Sequence, residues 1–278
     1  MGPQPSSRQA PRYEIVRWRL LLPLIGFGID LLLGRPRSFA RDAVRVLAAN
    51  PFPRRVEGLE RVPAEGAFVL TMNHYSRRGL RPYHCAMVVS AALLERRRGQ
   101  QEVRWAFTSE LRGQRLGPLP LPLWLIRWTF RRVARVYGLV VLPRPEEMVM
   151  GRAAALRRLL RELGQAPVGL TPEGERGTGQ LVEPPPGSGL FLALLSQQGY
   201  PVLPVGVWEE GETLVVRFGC PYSVTLERGL SREEQDRLAR EQVMVAIGRL
   251  LPRELWGAYA AAVERSLVVD GAGPESAR

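Results

Sequence analysis

Apolar residues follow two repeats along this chain, one typical of strands and the other of helices. Short apolar runs bounded by turn residues predict buried strands at residues 66–72, 103–108, 168–171, 202–207 and 213–218. Apolar positions at helical spacing predict helices at residues 83–95, 148–163, 189–198 and 231–251. Because strands alternate with helices, the sequence predicts an α/β fold with a mixed, largely parallel sheet flanked by helices.

The length of 278 residues fits one large domain with appendages. Residues 1–50 are predicted to form an N-terminal tail and amphipathic helices that associate with a membrane. Residues 51–260 are predicted to form the α/β domain, and residues 261–278 a C-terminal tail.

Two windows combine apolar residues with arginine and tryptophan. The first, Leu20–Leu33, is shorter than the roughly 20 apolar residues that a spanning helix needs, and arginines flank it on both sides. The second, Leu116–Val141, carries Trp124 and Trp128 beside arginines at helical spacing. Both patterns are typical of helices that lie in the headgroup layer of a membrane.

Other interpretations stay open for both windows. A buried helix packed on the domain also explains the first window. A core helix with a solvated arginine edge, or a nucleic-acid surface, also explains the second. Because two separate segments share the pattern, we favour a protein that docks on the cytoplasmic face of the cell membrane, peripherally or monotopically, and we expect no nucleic-acid partner.

The identity of the basic residues excludes two classes of enzyme. The chain has 39 basic residues against 27 acidic ones, a net charge of +12, and every basic residue is arginine. The absence of lysine excludes Schiff-base enzymes and P-loop ATPases. Two cysteines and two histidines provide neither zinc-finger spacing nor a disulfide framework, so no metal site is predicted.

Three short segments carry candidate chemistry at or after the ends of apolar runs. Asn73-His74-Tyr75-Ser76 places a histidine, a natural general base, where α/β sheets bind ligands. Thr171–Arg176 combines a glycine turn with an arginine suited to phosphate, and Gly138–Arg144 is an apolar run that ends in arginine. Each segment alone is also explained as an ordinary turn or strand end.

In this order and spacing the segments resemble the motifs of the glycerolipid acyltransferases. An NHxS segment, a strand ending in arginine, a PEGxR segment and the apolar run Pro201–Val207 follow one another. The chain is most similar to the lysophosphatidic acid acyltransferase group, across roughly Val56–Tyr222.

The resemblance implies an enzyme of phospholipid biosynthesis. His74 would deprotonate an acceptor hydroxyl, which attacks the thioester of acyl-CoA or acyl carrier protein. The acceptor would be a lysophospholipid such as 1-acylglycerol-3-phosphate. Its phosphate would bind a pocket formed by Arg144, Glu173, Gly174 and Arg176. Membrane phospholipids would be partners, the thioester a co-substrate, and no metal or other cofactor is implied.

One residue departs from the family pattern. The family has an aspartate five positions after the histidine, where this chain has Gly79, and no aspartate occurs between Asp42 and Asp236. Any carboxylate near His74 must therefore be a glutamate brought in by the fold. A working acyltransferase, a lipid-binding pseudo-enzyme and a nucleic-acid-binding basic protein all stay open as functions.

Other candidate residues are predicted to be structural. His84 lies within a predicted helix and is expected to be buried or to cap that helix, although a catalytic role is the alternative. Cys85 and Cys220 are predicted to be small core residues. Residues 208–210, at the end of the Pro201–Val207 strand, are predicted to form a solvated turn, and the alternative is that they approach the site.

Overall fold

The computed structural model describes residues 21–77, 79–108, 115–116, 119–120, 123–142, 157–174 and 179–269. Its strands are β1 (Arg54–Glu57), β2 (Val69–Met72), β3 (Arg104–Thr108), β4 (Arg115–Leu116), β5 (Leu119–Pro120), β6 (Val140–Leu142), β7 (Val168–Leu170), β8 (Val202–Glu210) and β9 (Thr213–Phe218). Its helices are α1 (Leu21–Leu33), α2 (Phe39–Ala49), α3 (Pro82–Arg96), α4 (Leu123–Val136), α5 (described over residues 157–163), α6 (Ser188–Gln197), α7 (Arg232–Gly248) and α8 (Ala260–Val269).

Seven strands form one sheet within the described ranges, in the order β1-β9-β8-β2-β7-β3-β6. Strands β8 and β9 run antiparallel, and the other neighbouring pairs of this sheet run parallel. Strand β2 lies in the middle of the order, between β8 and β7. The mixed, largely parallel sheet flanked by helices that the sequence predicts is therefore confirmed.

The central strand β2 packs against two hydrophobic layers. Val69 belongs to the layer that contains buried residues of α6, α7 and α8, whereas Leu70 belongs to the layer that contains those of α2 and α3. Successive residues of a strand face opposite sides of a sheet, so a fully buried strand contacts both layers at once. Helices thus cover both faces, and the ends of the strands are where a site can form.

Helices α6 and α7 approach each other closely at a glycine. A Cβ atom on Gly189 would lie 2.3 Å from the Asp236 carbonyl oxygen and 2.6 Å from the Arg240 amide nitrogen. The Asp236 carboxylate accepts hydrogen bonds from the amides of Gly187 (2.8 Å) and Leu190 (3.0 Å). Asp236 of α7 therefore caps the start of α6, whose own N-cap residue is a glycine.

The predicted start of α7 is confirmed by its cap. Ser231 Oγ accepts a hydrogen bond from the Glu234 amide (3.3 Å), and Glu234 Oε2 accepts one from the Ser231 amide (3.1 Å). This reciprocal pair is a capping box, and it satisfies two backbone donors at the helix terminus.

The window Leu116–Val141, whose pattern is typical of an interfacial helix, contains more than one element. Only its middle part forms α4, while its end belongs to β6. Gly138 adopts a φ of +63° just beyond the helix, a left-handed conformation that suits glycine and ends helices. The chain then turns into the sheet.

Two expectations differ from the structure at the ends of elements. Trp208, Glu209 and Glu210 lie within β8 rather than in a solvated turn, because β9 pairs with that part of β8. Residues 261–269, assigned to the C-terminal tail, form most of α8, whose Val263 is fully buried. Strand β1, which the hydrophobic pattern did not predict, is an exposed edge strand.

An ion-pair cluster joins the N-terminal helices to α4. Arg37 donates hydrogen bonds to Asp42 from Nε (2.7 Å) and Nη2 (2.8 Å), and to Asp30 from Nη1 (2.5 Å). The Tyr137 hydroxyl donates to Asp42 as well, at 2.9 Å. Burial raises the pKa of Asp42, but the hydrogen bonds from Arg37 and Tyr137 outweigh burial and lower it overall.

No helix in the described part of the chain combines the length and the apolar character that crossing a membrane requires.

Replacing Gly189 with alanine is expected to lower the free energy of unfolding by about 1–3 kcal/mol, because the added methyl group overlaps the backbone of α7. The matched control is Gly28→Ala in α1, where nothing lies within 4 Å of the added atom. Chemical denaturation measures both variants. An unchanged value for Gly189→Ala would contradict the close packing of α6 on α7.

Candidate active site at the end of the central strand

The predicted base, His74, lies just past the carboxyl end of β2. Strands β7 and β8 flank β2 and run parallel to it, so their carboxyl ends meet at the same edge of the sheet. This edge is where open α/β sheets bind ligands. His74 itself is half-buried, between the buried Asn73 and the half-buried Tyr75.

The loop after β2 is fixed on its β8 side by Asn73. The Asn73 side chain donates a hydrogen bond from Nδ2 to the Val207 carbonyl oxygen (2.8 Å), and its Oδ1 accepts one from the Val207 amide (2.7 Å). An amide side chain thereby continues the β2–β8 pairing beyond the end of the strand. Asn73 is buried, so both bonds form away from water, where leaving either group unsatisfied is costly.

The same loop is fixed on its β7 side by Glu173. Thr171–Gly174 forms a turn closed by a hydrogen bond from the Gly174 amide to the Thr171 carbonyl (3.1 Å). This turn directs the Glu173 side chain towards His74, and Glu173 Oε2 accepts a hydrogen bond from the His74 amide at 2.5 Å. The second oxygen, Oε1, accepts one from the Val182 amide at 3.0 Å.

Glu173 is therefore a buried carboxylate that binds backbone amides. It is only 1% exposed, and burial raises its pKa. Its hydrogen bonds from the His74 and Val182 amides act in the opposite direction without cancelling the effect of burial. Both carboxylate oxygens accept hydrogen bonds from the backbone, so Glu173 joins the His74 loop to the segment that contains Val182. We call this pair of hydrogen bonds the clamp.

The chain returns past the site after the PEGxR segment. A Cβ atom on Gly179 would lie 3.5 Å from Cε2 of the Tyr75 ring, so this part of the backbone packs against the loop that carries His74. Val182, three residues on, provides the second amide that Glu173 binds. The segments on both sides of the PEGxR arginine thus lie next to the His74 loop.

The position of the family aspartate is a tight turn in this chain. Arg77 and Leu80 form an antiparallel bridge, with hydrogen bonds of 3.1 and 3.0 Å between their backbones. Gly79 closes this turn with a φ of +88°, a conformation that glycine adopts without steric cost and a residue with a Cβ atom does not. The turn is therefore built around the glycine.

A glutamate from β8 reaches this turn. Glu209 binds the Arg77 guanidinium with both oxygens, and its Oε2 lies 3.4 Å from the Tyr75 hydroxyl. Burial raises the pKa of Tyr75, and the Glu209 charge adds to the rise. The sequence reasoning missed this contact, because 132 residues separate Arg77 from Glu209.

The structure describes three of the five predicted site residues. His74, Glu173 and Gly174 lie together at one edge of the sheet, and Gly174 has a φ of +71°. Arg144 and Arg176 lie outside the described residues. Phosphate binding by Arg144, Glu173, Gly174 and Arg176 stays a prediction, and both Glu173 oxygens already accept hydrogen bonds from the backbone.

The second histidine has the structural position expected of it. His84 is buried in the first turn of α3, and its Nδ1 accepts a hydrogen bond from the Arg81 amide at 2.9 Å. Burial lowers the pKa of His84. Cys85 is buried as predicted, and burial raises the pKa of its thiol to about 12. Cys220 is exposed, so its assignment to the core is wrong; it lies just after β9.

No protein-family model and no curated protein matches the chain. Among solved structures, the chain is similar to the crystal structure of the 1-acyl-sn-glycerophosphate (LPA) acyltransferase PlsC from Thermotoga maritima. The similarity covers 74% of this chain and 75% of that chain, with 20% sequence identity and a TM-score of 0.44.

Replacing Glu173 with glutamine is expected to lower the free energy of unfolding by about 1–3 kcal/mol, because one buried amide loses its acceptor. The control is Glu227→Gln on the exposed surface, for which we expect a change within about 0.5 kcal/mol. Chemical denaturation at neutral pH measures both. Equal stability of the two variants would show that Glu173 does not hold the segments together.

Proposed function

We propose that this protein is a membrane-associated acyltransferase that moves a fatty acyl group from a thioester to the hydroxyl of a lysophospholipid. The donor is acyl-CoA or acyl carrier protein, and the acceptor is 1-acylglycerol-3-phosphate or a related lysophospholipid. His74 is the general base. The reaction belongs to phospholipid biosynthesis.

One observation carries this proposal. The NHxS and PEGxR segments, which the resemblance to glycerolipid acyltransferases pairs, are in direct contact through the hydrogen bond from the His74 amide to Glu173. They are 99 residues apart in the chain. A chance similarity of two short segments gives no reason for them to meet, whereas a shared site requires it.

The site fits base-assisted attack on a thioester. A neutral His74 imidazole takes the proton of the acceptor hydroxyl as its oxygen bonds to the thioester carbonyl carbon. The C–S bond then breaks, and the leaving thiolate takes the proton from the imidazolium. The products are an ester and a free thiol, so the reaction calls for no metal or redox cofactor.

The acceptor phosphate requires a cationic pocket near His74. Arginine is suited to this task because its planar guanidinium binds phosphate through two parallel hydrogen bonds. Arg176 follows Gly174 by two residues, and the segments on both sides of it contact the His74 loop. We therefore propose Arg176, together with Arg144, as the phosphate ligands.

Exposed apolar side chains support docking on a membrane. Helix α1 exposes an apolar stripe, and its members are Leu24, Ile25, Ile29, Leu32 and Leu33. Helix α4 exposes Trp124 (69%) and Trp128 (43%), one turn apart. Arg132 of α4 donates a hydrogen bond to the Leu31 carbonyl (2.7 Å), so the two helices are in contact. We propose that this surface lies in the headgroup layer of the cytoplasmic leaflet.

A lipid-binding pseudo-enzyme is the second candidate, and Gly79 is the observation that favours it. The family aspartate orients the histidine, and loss of an orienting carboxylate in a comparable triad lowers kcat by about 10⁴-fold. This candidate keeps the fold and the phosphate pocket but has no turnover.

Acyl transfer tests the two candidates directly. Labelled acyl-CoA or acyl carrier protein is incubated with a panel of lysophospholipids and with the wild-type protein or His74→Ala. We expect thioester-dependent transfer by the wild type and a loss of about 10²- to 10⁴-fold in the variant. Equal background rates from folded, membrane-bound proteins would favour the pseudo-enzyme, and full activity of His74→Ala would overturn the mechanism.

Vesicle binding tests the docking surface. Replacing both Trp124 and Trp128 with serine is expected to weaken sedimentation with phosphatidylglycerol-containing vesicles at least about 10-fold, because each buried apolar side chain contributes about 1.5–3 kcal/mol. The matched control replaces Val268 and Val269, which are even more exposed on α8, with serine. Equal losses in both double variants would contradict docking through α4.

A further inference from the structure

The loop that carries His74 runs alongside β8 beyond the end of β2. Asn73 is joined to Val207 by two hydrogen bonds of 2.8 and 2.7 Å. Four residues later, Arg77 is joined to Glu209 by two more, of which the one from Nη2 to Oε1 measures 2.5 Å. Residues 207–209 of β8 therefore hold the loop at two points, at Asn73 and at Arg77.

The contact between Arg77 and Glu209 is a bidentate ion pair of a guanidinium with a carboxylate. The Glu209 side chain is 8% exposed and that of Arg77 is 26% exposed, so both charges are largely removed from water. Removing either partner of a buried ion pair destabilises the fold, because the other charge is then left buried without a partner. The Tyr75 hydroxyl lies 3.4 Å from Glu209 Oε2, so the pair also involves the residue next to His74.

The pair lies at the turn where the family has its aspartate. The Arg77 Nη1 atom lies 3.8 Å from the place that a Cβ atom on Gly79 would occupy. The space beside position 79 thus adjoins the guanidinium of Arg77, and the carboxylate that reaches this guanidinium belongs to Glu209. A carboxylate is present at the turn although position 79 carries none.

We propose that Glu209, acting through Arg77, is a positioning residue that fixes the His74 loop in place of the aspartate that Gly79 replaces. This inference rests on the proposed function of His74 as the base. Glu173 holds the His74 backbone from the β7 side, and the Arg77–Glu209 pair holds the loop from the β8 side. With both in place, the backbone that carries His74 is held on both sides of the end of β2.

Kinetics of three variants test the proposal on the full-length, vesicle-bound protein. In Glu209→Gln and Arg77→Gln we expect kcat to fall by about 10²-fold, the effect of a displacement of about 1 Å in an active site, with KM for the lysophospholipid little changed. Glu209→Asp, which keeps the charge, recovers part of kcat. The control is Glu162→Gln, which breaks a similarly exposed pair with Arg104 at the start of β3, and it keeps the wild-type kcat.

Imidazole NMR gives a readout that does not depend on activity. The chain has two histidines, so the ring spectrum contains two sets of signals, and His84→Gln assigns them. In Glu209→Gln we expect the His74 ring signals to shift or broaden while those of His84 stay unchanged. In Glu162→Gln both sets stay unchanged.

The two experiments separate the possible failures. If the wild type is no more active than His74→Ala, the proposed function fails, and NMR alone decides the positioning proposal. If the wild type is active, a folded Glu209→Gln protein with wild-type kcat would overturn the positioning proposal and leave the function standing. Unchanged His74 ring signals in Glu209→Gln would overturn it in either case.

Discussion

The Glu173 carboxylate accepts hydrogen bonds from the amides of His74 and Val182, and it thereby joins the His74 loop to two segments about 100 residues further along the chain. Neighbouring parallel strands bring these segments to one edge of the sheet, but they do not fix the loops that follow. A buried carboxylate does so because each oxygen that lost its amide partner would be left without water to replace it. On its β7 side, the loop that carries His74 is held by this side chain.

The sheet could be predicted from the sequence because its signal is local. Buried strands such as β2 and β7 are short apolar runs between turn residues, and the alternation with helices determines the fold class. The capping box of α7 is equally local, since Ser231 and Glu234 are three residues apart. Strand β1 was missed because its residues are mostly exposed and charged, and its backbone joins the sheet through parallel pairing with β9.

The site could be predicted only in part, for the same physical reason. Residue types and their order pointed to His74 and to the PEGxR segment, but not to how Glu173 is used. A glutamate in a phosphate-binding motif was expected to face the ligand, whereas its oxygens bind two backbone amides. The partner of Arg77 was also hidden, because Glu209 reaches it only after β8 has paired with β2.

Amide hydrogen exchange in wild type and Glu173→Gln tests the clamp most directly. With the clamp intact, the His74 and Val182 amide protons are predicted to exchange slowly, as buried hydrogen-bonded amides do, and at least about 10-fold faster in Glu173→Gln. Amides in the middle of β8 are predicted to exchange equally in both proteins. Unchanged protection of His74 and Val182 in the variant would contradict the clamp, and with it the contact between the two motifs on which the proposed function depends.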